Sequence, residues 1–311
     1  MQQINSLPHC PSCNDDRIAL VGSMPSTRYF GGETVRDECF ESKLYRCRGC
    51  YLSFRWPRLA PEDVNALYCN SGEPYPNINR NDWRIALNFL KNKANGRSIL
   101  DIGCYDGSFL MLLGDAWNRQ GVEINSGASQ EAQRKGIRII SSNIDELWNN
   151  FEYKDKFDVV TALDVIEHMF DPLLFLKKAL FVTKPGGCVL VSTGNTSSLS
   201  WKIMGSRYWY GLFLAHISFI NDDWCRRSAK ELSVLIKKTI YFSHGEECSA
   251  KNAALECLKN VIYRIFPGMF SWMRKLGFGG INVNDCPQLA DSPPYWKTAR
   301  DHMMVIFEKP Y

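Results

Sequence analysis

The 311-residue sequence predicts an α/β fold in which a parallel, Rossmann-like sheet follows a small N-terminal cysteine module. An apolar run at residues 99–102 leads into a turn with Gly103 and Gly107, and a helical pattern begins at Phe109. Strand, glycine turn and helix in this order let the backbone of a parallel sheet approach a cofactor closely. Short apolar runs then alternate with helical patterns up to residue 308, and two Cys-x-x-Cys pairs precede them all.

Composition places the chain among ordinary globular proteins, with 45% hydrophobic and 23% charged residues. The net charge of +4 is too small to indicate a nucleic-acid surface by itself. The start of the sequence, MQQINSLPHCPSC, lacks the apolar core of a signal peptide, and no apolar run reaches the ~18 residues of a membrane span. Twelve cysteines suit a reducing compartment, so we expect a cytoplasmic protein without a transmembrane segment.

Residues 1–58 are predicted to form the cysteine module. Cys10 and Cys13 make one pair, Cys47 and Cys50 make the other, and about 33 residues separate the pairs. Each pair puts two thiolates on one side of a tight turn, so two pairs complete the tetrahedral sulfur site of a zinc ribbon. Because four protein ligands leave no open position, the Zn²⁺ is expected to be structural.

Two helices are predicted in the linker at residues 59–95. The first begins at Pro61 with the acidic pair Glu62–Asp63, and the second is amphipathic over residues 82–92.

The domain at residues 96–311 carries the remaining predicted elements. Its strands are expected at residues 99–102, 117–124, 137–140, 158–163, 188–193, 239–243 and 302–308. Its other segments are expected to be helices at 129–135, 171–180 and 222–238, a turn at 185–187 and a helical insertion at about 249–276. The insertion could form a lid, a dimer face or a membrane-facing surface, and the first two are favoured.

The glycine turn has the pattern D-x-G-x-x-x-G from Asp101 to Gly107, with Asp106 inside the loop. A dinucleotide site uses G-x-G-x-x-G, which lets helix amides meet a pyrophosphate. An acid inside the loop would repel a pyrophosphate but would accept an α-amino or sulfonium group. The turn therefore favours a cofactor that carries such a cation.

This stretch, SILDIGCYDGSF, resembles motif I of the class I S-adenosylmethionine-dependent methyltransferases, although Tyr105 stands where many members have a small residue. The segment FDVVTALDVIEHMFDPLLFLKKALFVTKPGGCVLVST resembles the EH-D-P and K-P-G-G signatures of the same family. YRCRGCYLSFRWPRLAPEDVNALY resembles the corresponding segment of zinc-ribbon-bearing small-molecule methyltransferases, which include sugar C-methyltransferases and enzymes of surface-polysaccharide and antibiotic pathways. The resemblance implies a seven-stranded sheet, S-adenosylmethionine as cofactor and a small-molecule acceptor. It also implies that the linker segment around Tyr68 and Tyr75 lies over the cofactor cleft, so Tyr75 is a candidate either for contact with a bound ligand or for simple packing.

The resemblance also implies which residues hold the cofactor. They belong to the glycine turn, to the end of the second strand, where an acid takes the ribose hydroxyls, to the end of the third strand, beside the adenine, and to the end of the fourth strand. The implied residues are Asp101, Gly103, Cys104, Gly107, Glu123, Asn143, Ile144, Asp145, Leu163, Asp164 and His168.

Two histidines are candidates for catalysis. His168 and His216 could each act as a general base, because imidazole titrates near neutrality. Some related methyltransferases with a similar acidic and histidine pattern hold a divalent metal that binds acceptor hydroxyls. Here that set would be Asp164, Glu167, His168 and His216. The alternative is that Glu167 and His168 simply brace the cofactor loop.

The acceptor is expected to be a sugar, a nucleotide sugar or an intermediate of polysaccharide or natural-product synthesis. Aromatic residues at 195–220 are expected to cap its pocket, although they also suit ordinary packing. An RNA base methyltransferase is an alternative that rests on Arg46, Arg48, Arg55 and Arg58, and nucleic acid is disfavoured by the modest net charge. A non-catalytic scaffold with a degenerate cofactor site is a further alternative. The protein could also form a homodimer through the helical insertion.

Overall fold

The computed structural model describes residues 9–25, 29–30, 33–34, 41–70, 80–91, 97–243, 250–277 and 290–311. The candidate contact residue Tyr75 lies outside the described residues.

The described part of the N-terminal segment forms short antiparallel strands. They are β1 (Ile18–Ser23), β2 (Tyr29–Phe30), β3 (Glu33–Thr34), β4 (Lys43–Cys47) and β5 (Ser53–Trp56). Strands β1, β4 and β5 are neighbours in a four-stranded sheet. Its fourth strand comes from far along the chain, because Ser218 and Phe219 pair with Phe54 and Ser53. The cysteine module therefore shares a sheet with the region around His216.

The predicted seven-stranded sheet is confirmed. Its strands are β6 (Ser98–Ile102), β7 (Asn118–Val122), β8 (Arg138–Ser141), β9 (Phe157–Leu163), β10 (Thr183–Gly194), β12 (Leu235–Phe242) and β13 (His302–Glu308), while β11 (Ser218–Phe219) belongs to the N-terminal sheet. The spatial order is β8–β7–β6–β9–β10–β13–β12. The first five strands run parallel, and β13 is antiparallel to both of its neighbours. The order reverses between β6 and β9, and ligands of open α/β sheets bind at such a point, beyond the carboxyl ends of the strands.

The described residues form ten α-helices, some of which cover the two faces of this sheet. They are α1 (Pro61–Asn70), α2 (Asn81–Lys91), α3 (Ser108–Met111), α4 (Ser126–Arg134), α5 (Ile144–Trp148), α6 (Pro172–Val182), α7 (Leu199–Met204), α8 (Asp222–Glu231), α9 (Ala250–Ile265) and α10 (Pro267–Lys275). Trp83 of α2 and Ala132 of α4 pack on one face. Leu147 of α5, Leu176 of α6 and Trp224 of α8 pack on the other. Parallel strands that are buried on both faces explain the nearly continuous apolar runs of β9 and β10.

Polar side chains begin several of these helices and so fix the loops at the carboxyl edge of the sheet. Asn125 accepts a hydrogen bond from the amide of Ala128, and Asp171 accepts from the amides of Leu173 and Leu174. Such caps satisfy backbone N–H groups that lack partners within the helix.

Two local predictions were wrong. The helix expected at 222–238 ends at Glu231, and Ser233 adopts φ +55° before β12 begins at Leu235. The edge of β13 pairs with residues 235–242, with a register shift between Ile236 and Lys238, and this pairing overrides the helical pattern predicted for residues 235–238. The turn expected at 185–187 instead lies within β10, whose register with β9 shifts between Thr183 and Cys188.

Within the described part of the chain, no helix is both long enough and apolar enough to cross a membrane.

Candidate active site

A cavity of about 670 Å³ lies at the carboxyl edge of the sheet, where the strand order reverses. Helix α1 forms one wall, and the ends of β6, β7 and β9 form the floor. Eight of the predicted cofactor residues line it: Gly103, Glu123, Asn143, Ile144, Asp145, Leu163, Asp164 and His168. Asp101, Cys104 and Gly107 do not belong to the lining.

The glycine turn follows a path that side chains would obstruct. Gly103 has φ +72°, and a Cβ added there would lie 2.8 Å from Cγ2 of Val165. Gly107 has φ +74°, and its added Cβ would lie 2.8 Å from Cγ1 of Ile137. Tyr105, the departure from the family pattern, also takes a positive φ, of 48°. The glycines are therefore needed for the close approach of this loop to its neighbours.

Cys104 supports the turn from below. Its side chain is 4% exposed, and a Cβ added to Gly121 of β7 would lie 2.4 Å from its Sγ. The side chain therefore packs into the strand layer, and any contact of Cys104 with a ligand in the cavity would have to come from its backbone.

Glu123 holds the turn in place and still faces the cavity. Its Oε2 accepts a hydrogen bond from the amide of Tyr105 at 2.8 Å, and its Oε1 accepts from the amide of Asn125 at 2.7 Å. Burial raises the pKa of this carboxyl, and the backbone amides oppose the rise. Each carboxylate oxygen can accept more than one hydrogen bond, so Glu123 retains the capacity to take hydroxyl groups.

Asp101 lies beneath the cavity rather than in its wall. It is buried, and the hydroxyl of Thr161 donates to its Oδ1 at 2.6 Å. Burial raises the pKa of Asp101 to about 7, while Thr161 opposes the rise and the charge of Glu123 adds to it. With a pKa of about 7, Asp101 is largely protonated below neutral pH and about half ionised at pH 7.

Replacing Asp101 with Asn should therefore raise stability most at high pH. An Asp in the unfolded chain titrates near pH ~3.9, so between about pH 4 and pH 7 only the folded protein keeps the proton. The free energy of unfolding of the wild-type protein must fall as the pH rises through that window. Because Asn does not ionise, thermal melts should show the Asp101→Asn variant gaining stability over wild type from pH 5 to pH 8.

The matched control is Asp115→Asn, since the side chain of Asp115 is 99% exposed. For Asp115→Asn, the difference in stability from wild type should stay constant from pH 5 to pH 8. A difference that is equally constant for Asp101→Asn would contradict the raised pKa of Asp101.

The end of β8 contributes an apolar surface and two polar side chains that are already engaged. Asn143 accepts hydrogen bonds from the amides of Asp145 and Glu146 as the N-cap of α5. Asp145 forms an ion pair with Lys178 of α6. Ile144 is 8% exposed and lines the cavity between them. A planar ring bound here would therefore meet Ile144 and the edges of two fixed polar groups.

Arg80 pairs with Asp164 of the cavity wall, a contact that the sequence did not predict. Its guanidinium forms ion pairs with Asp82 and with Asp164. Asp164 has φ +56°, and its Oδ1 accepts from the hydroxyl of Ser192 at 3.4 Å. A non-glycine residue in this region of φ is uncommon, and the ion pair with Arg80 helps to hold it there.

Glu167, His168 and His216 come together next to the cavity. One carboxylate oxygen and one ring nitrogen from each histidine lie within 4.8 Å of one another. Asp164, the fourth member of the predicted metal set, is not in this group and pairs with Arg80 instead. The structure therefore assembles three of the four residues.

The hydrogen bonds around Glu167 leave one oxygen without a partner. Tyr210 donates its hydroxyl proton to Oε1, while Oε2 is buried and makes no hydrogen bond to any described residue. Burial raises the pKa of Glu167 to about 8, and the charge of Asp164 adds to the rise. A buried, unpartnered carboxylate oxygen is costly unless a proton or a cation meets it.

The two histidines are held as neutral rings. Burial lowers the pKa of His168 and lowers that of His216 well below its usual value. Nδ1 of His216 lies 2.8 Å from the carbonyl oxygen of Tyr210, so it carries the proton and leaves Nε2 as the acceptor. Nδ1 of His168 lies 2.6 Å from the Tyr68 hydroxyl on α1 and 3.0 Å from the carbonyl oxygen of Ala215.

Arg55 fixes the loop that carries His216. This arginine is fully buried, and it donates to the carbonyl oxygens of His216 at 3.0 Å and Phe213 at 3.1 Å. It also donates to the carbonyl oxygen of Gly211 and to the hydroxyl of Ser42. Strand β5 of the cysteine module thus positions a candidate catalytic residue.

The same contacts weaken the RNA alternative. Arg55 cannot reach a phosphate from its buried position, and Arg58 donates to the carbonyl oxygen of Phe170 and lies over that ring. Arg46 and Arg48 alone of the four remain exposed. Two exposed arginines do not form the basic groove that RNA binding would need.

The four cysteines of the N-terminal module form a compact sulfur cluster. Cys10 Sγ lies 3.4 Å from Cys50 Sγ, and Cys13 Sγ lies 3.6 Å from Cys47 Sγ. The amides of Gly49 and Cys50 point at Cys47 Sγ. The side-chain hydrogen bond with Cys50 lowers the pKa of Cys10 to about 6, and burial raises the pKa of Cys13 to about 12. The cluster fits a zinc ribbon, because a tetrahedral cation would stabilise all four thiolates together.

The aromatic residues at 195–220 were expected to cap the acceptor pocket. In the structure, all of them except Phe213 pack into a buried core. Their exposed fractions are all 4% or less, with the exception of Phe213 at 42%. The buried members are Trp201, Tyr208, Trp209, Tyr210 and Phe219. Their rings contact one another because α7 and the following turns pack onto β11. The local sequence of these segments does not predict this contact.

Comparison with known proteins identifies the domain around the cavity. A family model described as a methyltransferase domain matches residues 78–231. The chain contains an S-adenosylmethionine-dependent methyltransferase domain of class I. Its sequence is 28% identical over 138 residues to the ubiquinone biosynthesis O-methyltransferase of Proteus mirabilis, covering 40% of this chain and 55% of that protein. The enzyme of the same name from Marinobacter nauticus is 28% identical over 139 residues, covering 40% of this chain and 57% of that protein.

The matched region thus spans a little over half the length of these relatives. Among solved structures, a S-adenosylmethionine-dependent methyltransferase from Archaeoglobus fulgidus is similar, with a TM-score of 0.48 and 17% identity, covering 73% of this chain and 92% of that one.

Several residues of the methyltransferase domain's cavity escaped the sequence analysis. Helix α1 contributes Val64, Asn65 and Tyr68 to the wall, and Lys178 and Phe170 contribute from α6 and the loop before it. The resemblance of the segment ending in EDVNALY offered a signal for α1, since it marked this helix as close to the cofactor cleft. The contact between Tyr68 and His168 depends on packing between distant segments, which the sequence does not display.

Proposed function

We propose that the methyltransferase domain transfers a methyl group from S-adenosylmethionine to a hydroxyl oxygen of a small molecule. The acceptor class we propose is a sugar, a nucleotide sugar or a related intermediate of polysaccharide or natural-product synthesis. The observation that carries the transfer to oxygen is the cluster of Glu167, His168 and His216 beside the cavity. The O-methyltransferase names of the relatives support it, and the resemblance of the cysteine-rich segment supports the sugar class.

The cavity offers each part of the cofactor a suitable surface. In the proposed pose, Glu123 accepts the ribose hydroxyls and Ile144 contacts the adenine, between Asn143 and Asp145. Gly103, Leu163 and Asp164 face the amino-acid end, and Asp101, Cys104 and Gly107 hold the loop from outside the cavity. Asp164, which also pairs with Arg80, is the carboxylate at the amino-acid end, and its charge favours the cationic sulfonium and α-amino groups.

When bound, the sulfonium supplies an already activated methyl group. The protein must then align acceptor and donor, and positioning of this kind supplies up to ~7–11 kcal/mol in favourable cases. His168 lies in the cavity wall, and His216 belongs to the same cluster, with Nε2 as its acceptor nitrogen. We propose that one of these rings takes the acceptor's proton as the oxygen attacks.

The cluster also fits a divalent cation. Two neutral imidazoles and one carboxylate oxygen without a partner form a donor set that such ions bind, and the carbonyl of Tyr210 orients His216 as an outer partner would. A cation held by Glu167, His168 and His216 would supply Lewis acidity to the acceptor hydroxyl. The alternative is that a proton on Glu167 satisfies the same oxygen.

Manganese titration separates these two readings. If the cluster holds a cation, zinc-loaded protein should bind one further Mn²⁺, and Glu167→Gln should weaken that binding by about 100-fold or more, since it removes the charged ligand. Electron paramagnetic resonance of free Mn²⁺ measures this without reference to activity. Glu152→Gln, at an exposed residue, is the control. Equal Mn²⁺ binding by wild type and Glu167→Gln would leave the proton as the partner of Glu167.

The acceptor class is tested by methyl transfer from labelled S-adenosylmethionine to a panel of nucleotide sugars, free sugars, catechols and short RNAs. The proposal predicts labelling at oxygen of a nucleotide sugar and loss of that label in His216→Ala. Labelling confined to RNA, or to nitrogen or carbon atoms of an acceptor, would contradict it.

A further inference from the structure

Helix α10 has its polarity reversed relative to an ordinary surface helix. Its inner face carries Ser271, which is 8% exposed, and Arg274, which is 4% exposed. The guanidinium of Arg274 donates to the carbonyl oxygens of Ala290 and Ser292. The outer face instead carries large apolar residues at helical spacing: Met269, Trp272, Met273 and Leu276. An amphipathic helix normally turns such a stripe toward the core.

Helix α9 continues the same arrangement. Asn260 is fully buried and Tyr263 is nearly so. The outer surface of α9 and of the turn into α10 exposes further large side chains, each between 48% and 60% exposed: Leu255, Leu258, Ile265 and Phe266. The eight residues form what we term the α9–α10 apolar surface. Contiguous exposed apolar surface on two neighbouring helices is typical of a site for an apolar partner.

Basic residues border this surface. Lys251, Lys259, Arg264 and Lys275 are all exposed. The sequence from 250 to 277 contains one acidic residue, Glu256, and it faces inward, where it accepts from the amide of Thr298 at 2.9 Å and from its hydroxyl at 2.7 Å. Within residues 250–277, the exposed charged residues beside the apolar surface are therefore all basic.

We infer that the α9–α10 apolar surface docks on an anionic lipid bilayer. A helix that lies in a membrane interface combines apolar side chains, often with Trp, and a basic border that attracts anionic headgroups. A two-fold dimer through this surface would bring the patch of one copy onto the same patch of the other, and so would place basic residues against basic residues. The charge pattern thus favours a membrane surface over the lid or dimer face expected from sequence.

The surface is connected to the acceptor side of the active site. Tyr263 of α9 and Phe270 of α10 pack into the buried aromatic cluster that contains Trp209 and Tyr210. Tyr210 in turn donates to Glu167. A protein docked through α9 and α10 would therefore hold the cluster of Glu167, His168 and His216 a few side chains from the bilayer.

Co-sedimentation of the full chain with lipid vesicles tests this inference. Wild-type protein should sediment with vesicles of phosphatidylcholine and phosphatidylglycerol, and much less with phosphatidylcholine alone. Trp272→Gln/Met273→Gln should reduce partitioning by about tenfold or more, because both side chains leave water on docking. Lys259→Gln should reduce it by about fivefold, as expected for the loss of one basic residue near an anionic surface.

Leu235→Gln is the matched control, because Leu235 is 60% exposed on β12 rather than on α9 or α10, and its partitioning should stay within about twofold of wild type. Circular dichroism melts confirm that each variant folds. Absence of vesicle binding by folded wild type would overturn the inference. Equal binding to neutral and anionic vesicles would overturn it as well. So would a wild-type protein that forms a concentration-dependent dimer instead of binding vesicles, if Trp272→Gln/Met273→Gln abolishes that dimer.

Discussion

Replacing Glu123 with Gln is expected to weaken binding of S-adenosylhomocysteine by about 10- to 100-fold, which corresponds to about 1.4–2.8 kcal/mol. Glu123 lies in the cavity wall and accepts from the amides of Tyr105 and Asn125. The amide of Gln would lose the charge that strengthens bonds from ribose hydroxyls, and its NH₂ group would face one of the two backbone donors. Both effects act on the same loop, so the loss should exceed that of one neutral hydrogen bond.

Calorimetric titration measures this change, and Glu131→Gln on the exposed surface of α4 is the control. A variant with unchanged affinity would mean that Glu123 shapes the glycine turn without contacting the ligand. Circular dichroism of the variant distinguishes that outcome from loss of the fold.

Replacing Arg55 with Met is expected to lower the free energy of unfolding by about 3–5 kcal/mol. The substitution removes the donors for three carbonyl oxygens, those of Gly211, Phe213 and His216, in a fully buried setting. Because these carbonyls belong to the His216 loop, methyl transfer should fall further than stability alone explains. Arg55→Lys keeps a charge but not the planar set of five donors, so it should rescue only part of the loss.

Chemical denaturation and initial rates at a temperature where the variant stays folded measure the two effects. Arg48→Met is the control within the same module, since Arg48 is exposed, and its effect should stay within about 0.5 kcal/mol. Loss of stability with a normal rate of methyl transfer would show that the cysteine module supports the fold but does not position His216.

The sequence predicted the parts of the fold that depend on local patterns. Strand β13 lies at residues 302–308, as expected, because its apolar run is short and isolated. The glycine turn was found because positive φ at Gly103 and Gly107 demands residues that stand out in a sequence. The cysteine cluster followed from spacing alone, since two Cys-x-x-Cys turns have few alternatives to a shared metal.

Other features depend on which distant segments meet, and a sequence does not display that choice. Residues 235–238 form part of β12 because the edge of β13 was available, and not because of their own pattern. Arg80 reaches Asp164 across 84 positions of the chain, and Arg55 reaches His216 across 161. The aromatic residues at 195–220 were expected to cap the acceptor pocket, with ordinary packing as the alternative, and all but Phe213 make a core. The sequence could not decide between the two because burial and ligand contact favour the same residue types.

The proposed methyl transfer requires that the methyl donor binds in the cavity beneath α1. Calorimetric titration of the zinc-loaded protein with S-adenosylhomocysteine tests this most directly. We expect one site with micromolar affinity in the absence of any acceptor. Folded, zinc-loaded protein that shows no binding would contradict the proposed site.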